Sequence, residues 1–408
     1  MKKLLFLVAL TLALFSCKNG ENAKNFAVDP AGYDFSEVLA YGSPFKLGII
    51  GEDFTRLQVY YASVTKTDAT HYAVKGFSKV WDNVQSFDGV IELKSISKIV
   101  PEPDENGEYV TDHVDNHDAY FLECSYSFPQ ADGEFNGKSL NEIYFKGNKA
   151  LTDDCYEGAD GYDNNQHIGT FTYTNGKETV ANWGAWRIPE SDDLDQGVGE
   201  FVPSEKYRDN GWGTYYNAFF NYEEGELNHL IRVNSIFEEC RQWWDPEAPK
   251  LDLEVVDNHF EVAATTPAGK HTYQFSSMYP PEYKDINFDG YMDLYQTGDE
   301  ERHDEGACYL YNPQTKEFEN CPSFHDILHV DHLAVFPEEK VLMTSHNFAE
   351  KGEFFYYLYR FENGKFVLGG TVLEKDGIYR EYDKDGNEIH KTDNIADLSR
   401  VWAVCFAG

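Results

Sequence analysis

Short runs of β-branched and aromatic residues, each bounded by turn-forming residues, recur along most of this chain and restrict it to antiparallel β folds. Leu57 to Val64, His71 to Phe77, Gly89 to Leu93, Tyr120 to Tyr126 and Gly169 to Tyr173 read as strands in the N-terminal half. Leu251 to Val256, Phe260 to Ala264, His271 to Ser276, Tyr291 to Gln296, Tyr309 to Asn312, Phe354 to Phe361 and Lys365 to Leu373 continue the pattern. Asn-Gly steps at Asn106-Gly107, Asn136-Gly137, Asn175-Gly176 and Asn363-Gly364 suit two-residue hairpin turns, whose central residues both need positive φ. Between the two β regions, Tyr215, Phe219, Leu227, Leu230, Ile231, Ile236 and Phe237 recur at helical spacings. These predict one or two helices that end before Pro246 and Pro249, which cannot continue a helix.

The expected fold is therefore mainly β, with two antiparallel β domains. The first, over 44–205, is barrel-like or a curved sheet. A short helical connection over 206–250 leads to a propeller-like or sandwich β-sheet unit over 251–408. At 41% hydrophobic and 16% aromatic residues, the chain has ample material for two cores despite its acidity.

The first residues carry an address. Lys2 and Lys3 precede an apolar run from Leu4 to Phe15, interrupted only by Thr11, which reads as a signal peptide over 1–16. A membrane-spanning helix needs about 20 apolar residues, more than this run supplies. Leu14-Phe15-Ser16-Cys17 resembles the lipobox of bacterial lipoproteins, which implies that the Cys17 thiol takes a diacylglycerol before cleavage. The polar stretch from Lys18 to Asn22 then reads as part of a tether over 17–43. The resemblance implies attachment to the cell envelope through the N-terminal lipid, as an outer-membrane lipoprotein on either the periplasmic or the surface face.

A formal net charge of −37 repels nucleic acids and anionic headgroups, so no nucleic-acid partner is expected. Setting Cys17 aside leaves Cys124, Cys155, Cys240, Cys308, Cys321 and Cys405, which in an exported chain are either disulfide-bonded or buried thiols. Proximity in sequence favours Cys308 with Cys321 and Cys124 with Cys155. No CxxC pair is present, which argues against a zinc ribbon or a thioredoxin-type centre.

The strongest internal motif is the run from Asp285 to Asp293. Side-chain oxygens fall at loop positions one, three and five (Asp285, Asn287, Asp289), glycine at six (Gly290), the Tyr291 carbonyl at seven and Asp293 at nine. This spacing suits Ca²⁺, a hard cation that takes six to eight oxygens, and the glycine permits the turn that converges them. Ile286 and Phe288, at alternate positions, are free to face a core. The twelfth position is Gln296 where a complete EF-hand loop has glutamate, so further ligands would come from Glu300, Glu301 or Asp304. The competing reading is an Asx-rich turn without metal.

From Asp285 to Gly370 the chain resembles the VCBS or FG-GAP-like calcium-loop β-proteins. The resemblance rests on the loop, on Tyr309-x-Tyr311-Asn312-Pro313, on Phe318, and on Tyr357-x-Tyr359-x-Phe361-x-Asn363-Gly364-Lys365. It implies a structural Ca²⁺ and, since some such lipoproteins inhibit or confer immunity to peptidoglycan-cleaving effectors, a protein partner. The first domain resembles other exported Bacteroidetes lipoproteins at Tyr162 to Gln166 and at Asn182-Trp183-Gly184, which implies no activity.

Other groupings favour bland readings. His325, His329 and His332 would share ligand geometry only on a helix, and the neighbouring apolar residues alternate as in a strand. His113 and His117 lie in a polar loop pattern, and Asp383 to Glu388 reads as a hairpin with an Asp-Gly turn. Trp183, Trp186, Trp212, Trp243 and Trp244 would serve either a core or a glycan-stacking platform. No nucleophile elbow or phosphate-cradling loop is present. The expectation is a non-catalytic binding protein, with carbohydrate capture as the alternative and an acid-catalysed hydrolase only if two carboxyls face each other across a cleft.

Overall fold

The computed structural model describes residues 26–42, 45–99, 118–153, 164–185, 187–198, 201–257, 259–276, 279–298, 306–348 and 350–407. Cys17, the leader, His113, His117, Cys155, Trp186, Glu300, Glu301 and Asp304 lie outside them. The chain divides into two compact units between Phe201 and Val202.

The first unit is built from β1 (Lys46–Ile50), β2 (Thr55–Lys66), β3 (His71–Val80), β4 (Asn83–Lys98), β5 (Ala119–Gln130), β6 (Gly133–Lys146), β7 (Lys149–Thr152), β8 (Gln166–Tyr173) and β9 (Glu178–Gly184). Eight of them close into an antiparallel barrel in the order β5-β4-β3-β2-β1-β9-β8-β6, with β6 returning to β5. Alternation sets the lining: on β5, Leu122, Cys124, Tyr126 and Phe128 point inward while Glu123 is exposed. Register shifts between Tyr61 and Ser63 and between Leu93 and Ser95 are β-bulges, which bend strands and favour closure. Helix α1 (Ser36–Ala40) packs Val38 and Leu39, with Phe35 beside it, against the same core.

Strand β6 is the seam of the barrel. One edge pairs with β5 along its length; the other pairs with β8 through Gly133 to Leu140 and with β7 through Ile143 to Lys146. In the gap between those two ladders the Asn164 side chain stands in for a strand. Its Oδ1 accepts from Glu142 N (2.9 Å) and its Nδ2 donates to Glu142 O (3.1 Å). Glu142 O also accepts from Asp153 N (2.9 Å), so it is the Glu142 N–H that this amide spares a desolvation cost.

Asn136-Gly137 does not form a turn. It lies inside β6, where Gly137 opposes Tyr126 on β5 and Gly169 on β8. The buried Tyr126 ring extends over this glycine pair: a Cβ on Gly137 would stand 2.4 Å from the Tyr126 hydroxyl and 2.3 Å from Ile168 O. Here glycine makes room for an aromatic ring, and that packing outweighs the local turn preference. Asn175-Gly176 and Asn363-Gly364 do turn the chain. Asn363 and Gly364 have φ of +52° and +77°, the positive pair expected of a tight hairpin.

The second unit begins with α2 (Gly213–Phe219) and α3 (Glu226–Cys240), which pack together as a hairpin. These helices do more than connect, because Val233 and Phe237 of α3 enter a β core. Three up-and-down meanders follow in chain order. The first comprises β10 (Lys250–Val256), β11 (His259–Thr266) and β12 (Gly269–Phe275). The second comprises β13 (Glu282–Lys284), β14 (Asp293–Gln296), β15 (Ala307–Asn312) and β16 (Glu317–Asn320). The third runs through β17 (Ala334–Phe336), β18 (Val341–Phe348), β19 (Glu353–Glu362), β20 (Lys365–Lys375), β21 (Ile378–Asp383) and β22 (Glu388–Thr392). Leu294, Tyr311 and Phe318 of the middle sheet face Val262, Ala264 and Phe275 of the first. On its other face Tyr295 and Cys308 meet Leu342, Tyr359 and Phe366 of the third. Helix α4 (Arg400–Ala407) covers the far side of that sheet with Trp402 and Cys405. No helix of the described residues is long and apolar enough to cross a membrane.

Replacing Gly137 by alanine is expected to destabilise the barrel by about 1–3 kcal/mol, because a close-packed core cannot absorb the added methyl. Tyr126→Phe, which removes a buried hydroxyl without a hydrogen-bond partner, should recover part of that loss in the double variant. Urea denaturation of the four proteins checks this; strictly additive changes would refute the proposed contact.

Candidate functional sites

The Asp285 loop leaves β13 and ends where Asp293 opens β14. Its side chains turn inward and organise the backbone. Asp285 Oδ1 accepts from Phe288 N (2.7 Å) and Asp289 N (3.3 Å), and its Oδ2 accepts from Gly290 N (2.9 Å). Asn287 Oδ1 accepts from Asp289 N (2.9 Å), and Asp289 Oδ1 accepts from Tyr291 N (2.9 Å). Phe288 and Gly290 take positive φ of +63° and +94°, which bends the loop back on itself. Ile286 is fully buried between the middle and third sheets and Phe288 packs beside it, as the alternation predicts.

Asp293 holds the base of this loop. It is fully buried; its Oδ2 accepts from Ile286 N (3.1 Å) and its Oδ1 from Tyr311 N on β15 (2.9 Å). Burial pushes its carboxyl up to about 8 against the pull of those two hydrogen bonds, and the negative fields of Asp289 and Asp285 add to the rise. Asp285 is also raised, chiefly by burial. Three carboxylates thus share one neighbourhood, and no cationic side chain figures among the groups that shift Asp285 and Asp293.

The donor set fits a hard cation. Asp285, Asn287, Asp289 and the Tyr291 carbonyl offer oxygen only, and a carboxylate with about four lone-pair sites keeps capacity after accepting two or three N–H groups. Among the described residues no three His, Cys, Asp or Glu side chains gather as a metal cage, so an ion here would depend on amide, carbonyl and water oxygens as well. Gln296, at the twelfth position, points elsewhere. Its Oε1 accepts from Ser276 N (3.0 Å) and its Nε2 donates to Ser276 O (3.1 Å) and to Tyr279 O, tying down the segment after β12.

The histidines at 325, 329 and 332 fall on two short 3₁₀ turns, Pro322–Asp326 and Val330–His332, and the intervening His329 has φ of +54°. His329 stacks on His346 of β18 with ring centroids 3.9 Å apart, and the aromatic file continues through Phe348 and Phe355 to Tyr357. Asp383 accepts from the N–H groups of Asp385 and Asn387 in a tight hairpin, as its sequence suggests. Trp183, Trp212 and Trp243 are buried, so they do not present a stacking platform.

One polar network was not anticipated from sequence. Lys46, on the otherwise apolar β1, is fully buried inside the barrel and donates to Tyr41 O and Asn165 Oδ1. Asn165 donates in turn to Asn141 Oδ1 (2.6 Å) and to Val38 O of α1 (3.2 Å). His167 Nδ1 lies 3.0 Å from Asn165 O and Nε2 lies 3.2 Å from the Tyr61 hydroxyl, while its ring stacks on Trp183. Among the described residues no carboxylate neutralises Lys46, and burial lowers its amine to about 7. His167 is held well below its ordinary range by burial and then by Lys46. The barrel is filled by these side chains, and the arrangement ties α1 to the strands.

No family profile matches this chain, and no curated protein matches it.

Between pH 7 and the ordinary lysine value of 10.5, the unfolded chain carries a proton at Lys46 that the folded barrel does not. Stability of the first unit should therefore rise with pH across that window, by up to about 1.4 kcal/mol per pH unit from this group. Lys46→Met should flatten the slope whatever it does to absolute stability. Equal slopes for the two proteins in pH-dependent denaturation would sink the assignment.

Proposed function

We propose that this chain is a non-catalytic, lipid-anchored envelope protein whose second unit is braced by Ca²⁺ and binds a macromolecular partner, a cell-wall hydrolase that it inhibits being one candidate. The carrying observation is the Asp285 loop: the side-chain oxygens of Asp285, Asn287 and Asp289 and the Tyr291 carbonyl fall at the spacing that a hard cation uses, beside the fully buried Asp293. Bound Ca²⁺ would supply the positive charge that the loop otherwise lacks and would rigidify the turn between β13 and β14.

The partner reading is supported by the α2–α3 hairpin, where Tyr222 and Leu227 are 74% and 72% exposed and Phe219 and Ile231 are exposed nearby. Exposed apolar residues grouped on one element mark protein-interaction surfaces more often than chance scatter does. Lipid anchorage at Cys17 supplies the address, since the acidic body would be repelled by anionic headgroups. Carbohydrate capture is the second reading, favoured by the aromatic file from His346 to Tyr357 on β18 and β19.

Chelation with EGTA should lower the melting temperature of the second unit, because an ion at a hundredfold excess over its dissociation constant adds about 2.7 kcal/mol. Asp285→Ala combined with Asp289→Ala should abolish the response to Ca²⁺. An identical melting curve with and without Ca²⁺ would refute the metal.

Capture from envelope extract then separates the partner classes. Loss of a bound protein on Leu227→Asp with Ile231→Asp supports the protein reading. Glycan binding that is lost on Phe355→Ala with Tyr357→Ala supports the other.

A further inference from the structure

Cys308 and Cys321 flank the β15–β16 hairpin, one at its entry and one at its exit. The ladder that pairs Tyr309 with Asn320 places them opposite each other one step further on, and Cys321 N donates to Cys308 O at 2.9 Å. They therefore stand opposite each other at the end of an antiparallel ladder, where directly opposed Cα atoms are about 4.5–5.5 Å apart. That spacing lies within the range for disulfides, about 4.4–6.8 Å. Their side chains share one face, both buried against Tyr295, Phe324 and Leu342. The remaining described cysteines sit apart: Cys124 in the barrel, Cys240 at the first meander's core and Cys405 on α4.

We propose that Cys308 and Cys321 are a modification site, a dithiol that closes to a disulfide across the β15–β16 hairpin. The two sulfurs are not equivalent. The Cys308 thiol beside it and Ser323 Oγ, 3.4 Å from its sulfur, favour the Cys321 thiolate. Cys308 is more deeply buried and surrounded by apolar side chains, which favours its thiol.

Cys321 is thus the attacking sulfur, and a low-molecular-weight disulfide such as oxidised glutathione is the oxidant. The Cys321 thiolate attacks one glutathione sulfur and expels the other as thiolate, forming a mixed disulfide. Cys308 then loses its proton to the expelled thiolate and attacks the Cys321 sulfur, releasing the second glutathione. Two protein thiols are oxidised and one glutathione disulfide is reduced to two thiols. The pairing concerns the hairpin alone and does not rest on the calcium reading or on the anchor.

The test uses the full chain, reduced and unfolded, then refolded in a glutathione redox buffer so that access to buried sulfur does not limit the reaction. After alkylation and proteolysis, mass spectrometry should find the Cys308 and Cys321 peptides joined, with neither joined to another cysteine. The oxidised chain should also melt at higher temperature than the same chain kept reduced. Both sulfurs recovered alkylated, or either one joined to a different cysteine, would overturn the proposal. Cys308→Ser should retain glutathione at Cys321; if that variant fails to fold, the wild-type peptide map decides alone.

Discussion

Closure of the first unit depends on β6, which hydrogen-bonds to β5 along one edge and to β8 and β7 in succession along the other. An open sheet exposes two edges of unpaired backbone groups, and a closed barrel exposes none. That advantage is complete only if the break between the β8 and β7 ladders is filled, which is the task of the Asn164 amide at Glu142. The next residue, Asn165, reaches inward to Lys46, Asn141 and Val38 O. Two adjacent asparagines therefore serve the barrel in different ways, one completing its wall and the other anchoring its interior.

The interior network explains why a lysine is tolerated at the heart of an aromatic core. A buried amine is costly when charged, and the cost falls if the group is neutral and hydrogen-bonded. Lys46 meets both conditions, with a lowered proton affinity and two oxygen acceptors. Replacing such a network piecemeal leaves orphaned polar groups, so it specifies one packing of α1 against the strands more sharply than apolar contacts would.

In the second unit the middle sheet performs the equivalent role. It is covered on both faces, so one strand, β15, connects two cores: Tyr311 points to the first meander and Cys308 to the third. The same strand supplies the N–H that holds Asp293 at the base of the Asp285 loop. Loop geometry, hairpin register and the face-to-face packing of the sheets are consequently linked through a short length of backbone. A cation at the loop and a disulfide at the hairpin would reinforce the same element from two sides.

The β class, the paired helices before Pro246, the tight turn at Asn363-Gly364 and the inward-facing oxygens of the Asp285 loop were all legible in the sequence. Each depends on interactions within a few residues: period-two alternation, positive φ, and side chains bonding to their own neighbouring backbone. What the sequence did not disclose arises from residues far apart in the chain. Asn136-Gly137 has turn chemistry, yet Tyr126 lying across it keeps it in a strand. Gln296 occupies a ligand position by count, yet the segment after β12 claims its amide. Lys46 has ordinary surface chemistry, yet barrel closure buries it beside Asn165, 119 positions away. Local preference chose the elements; the choice of neighbours, and with it the burial of charge, came only when strands distant in sequence paired and excluded water.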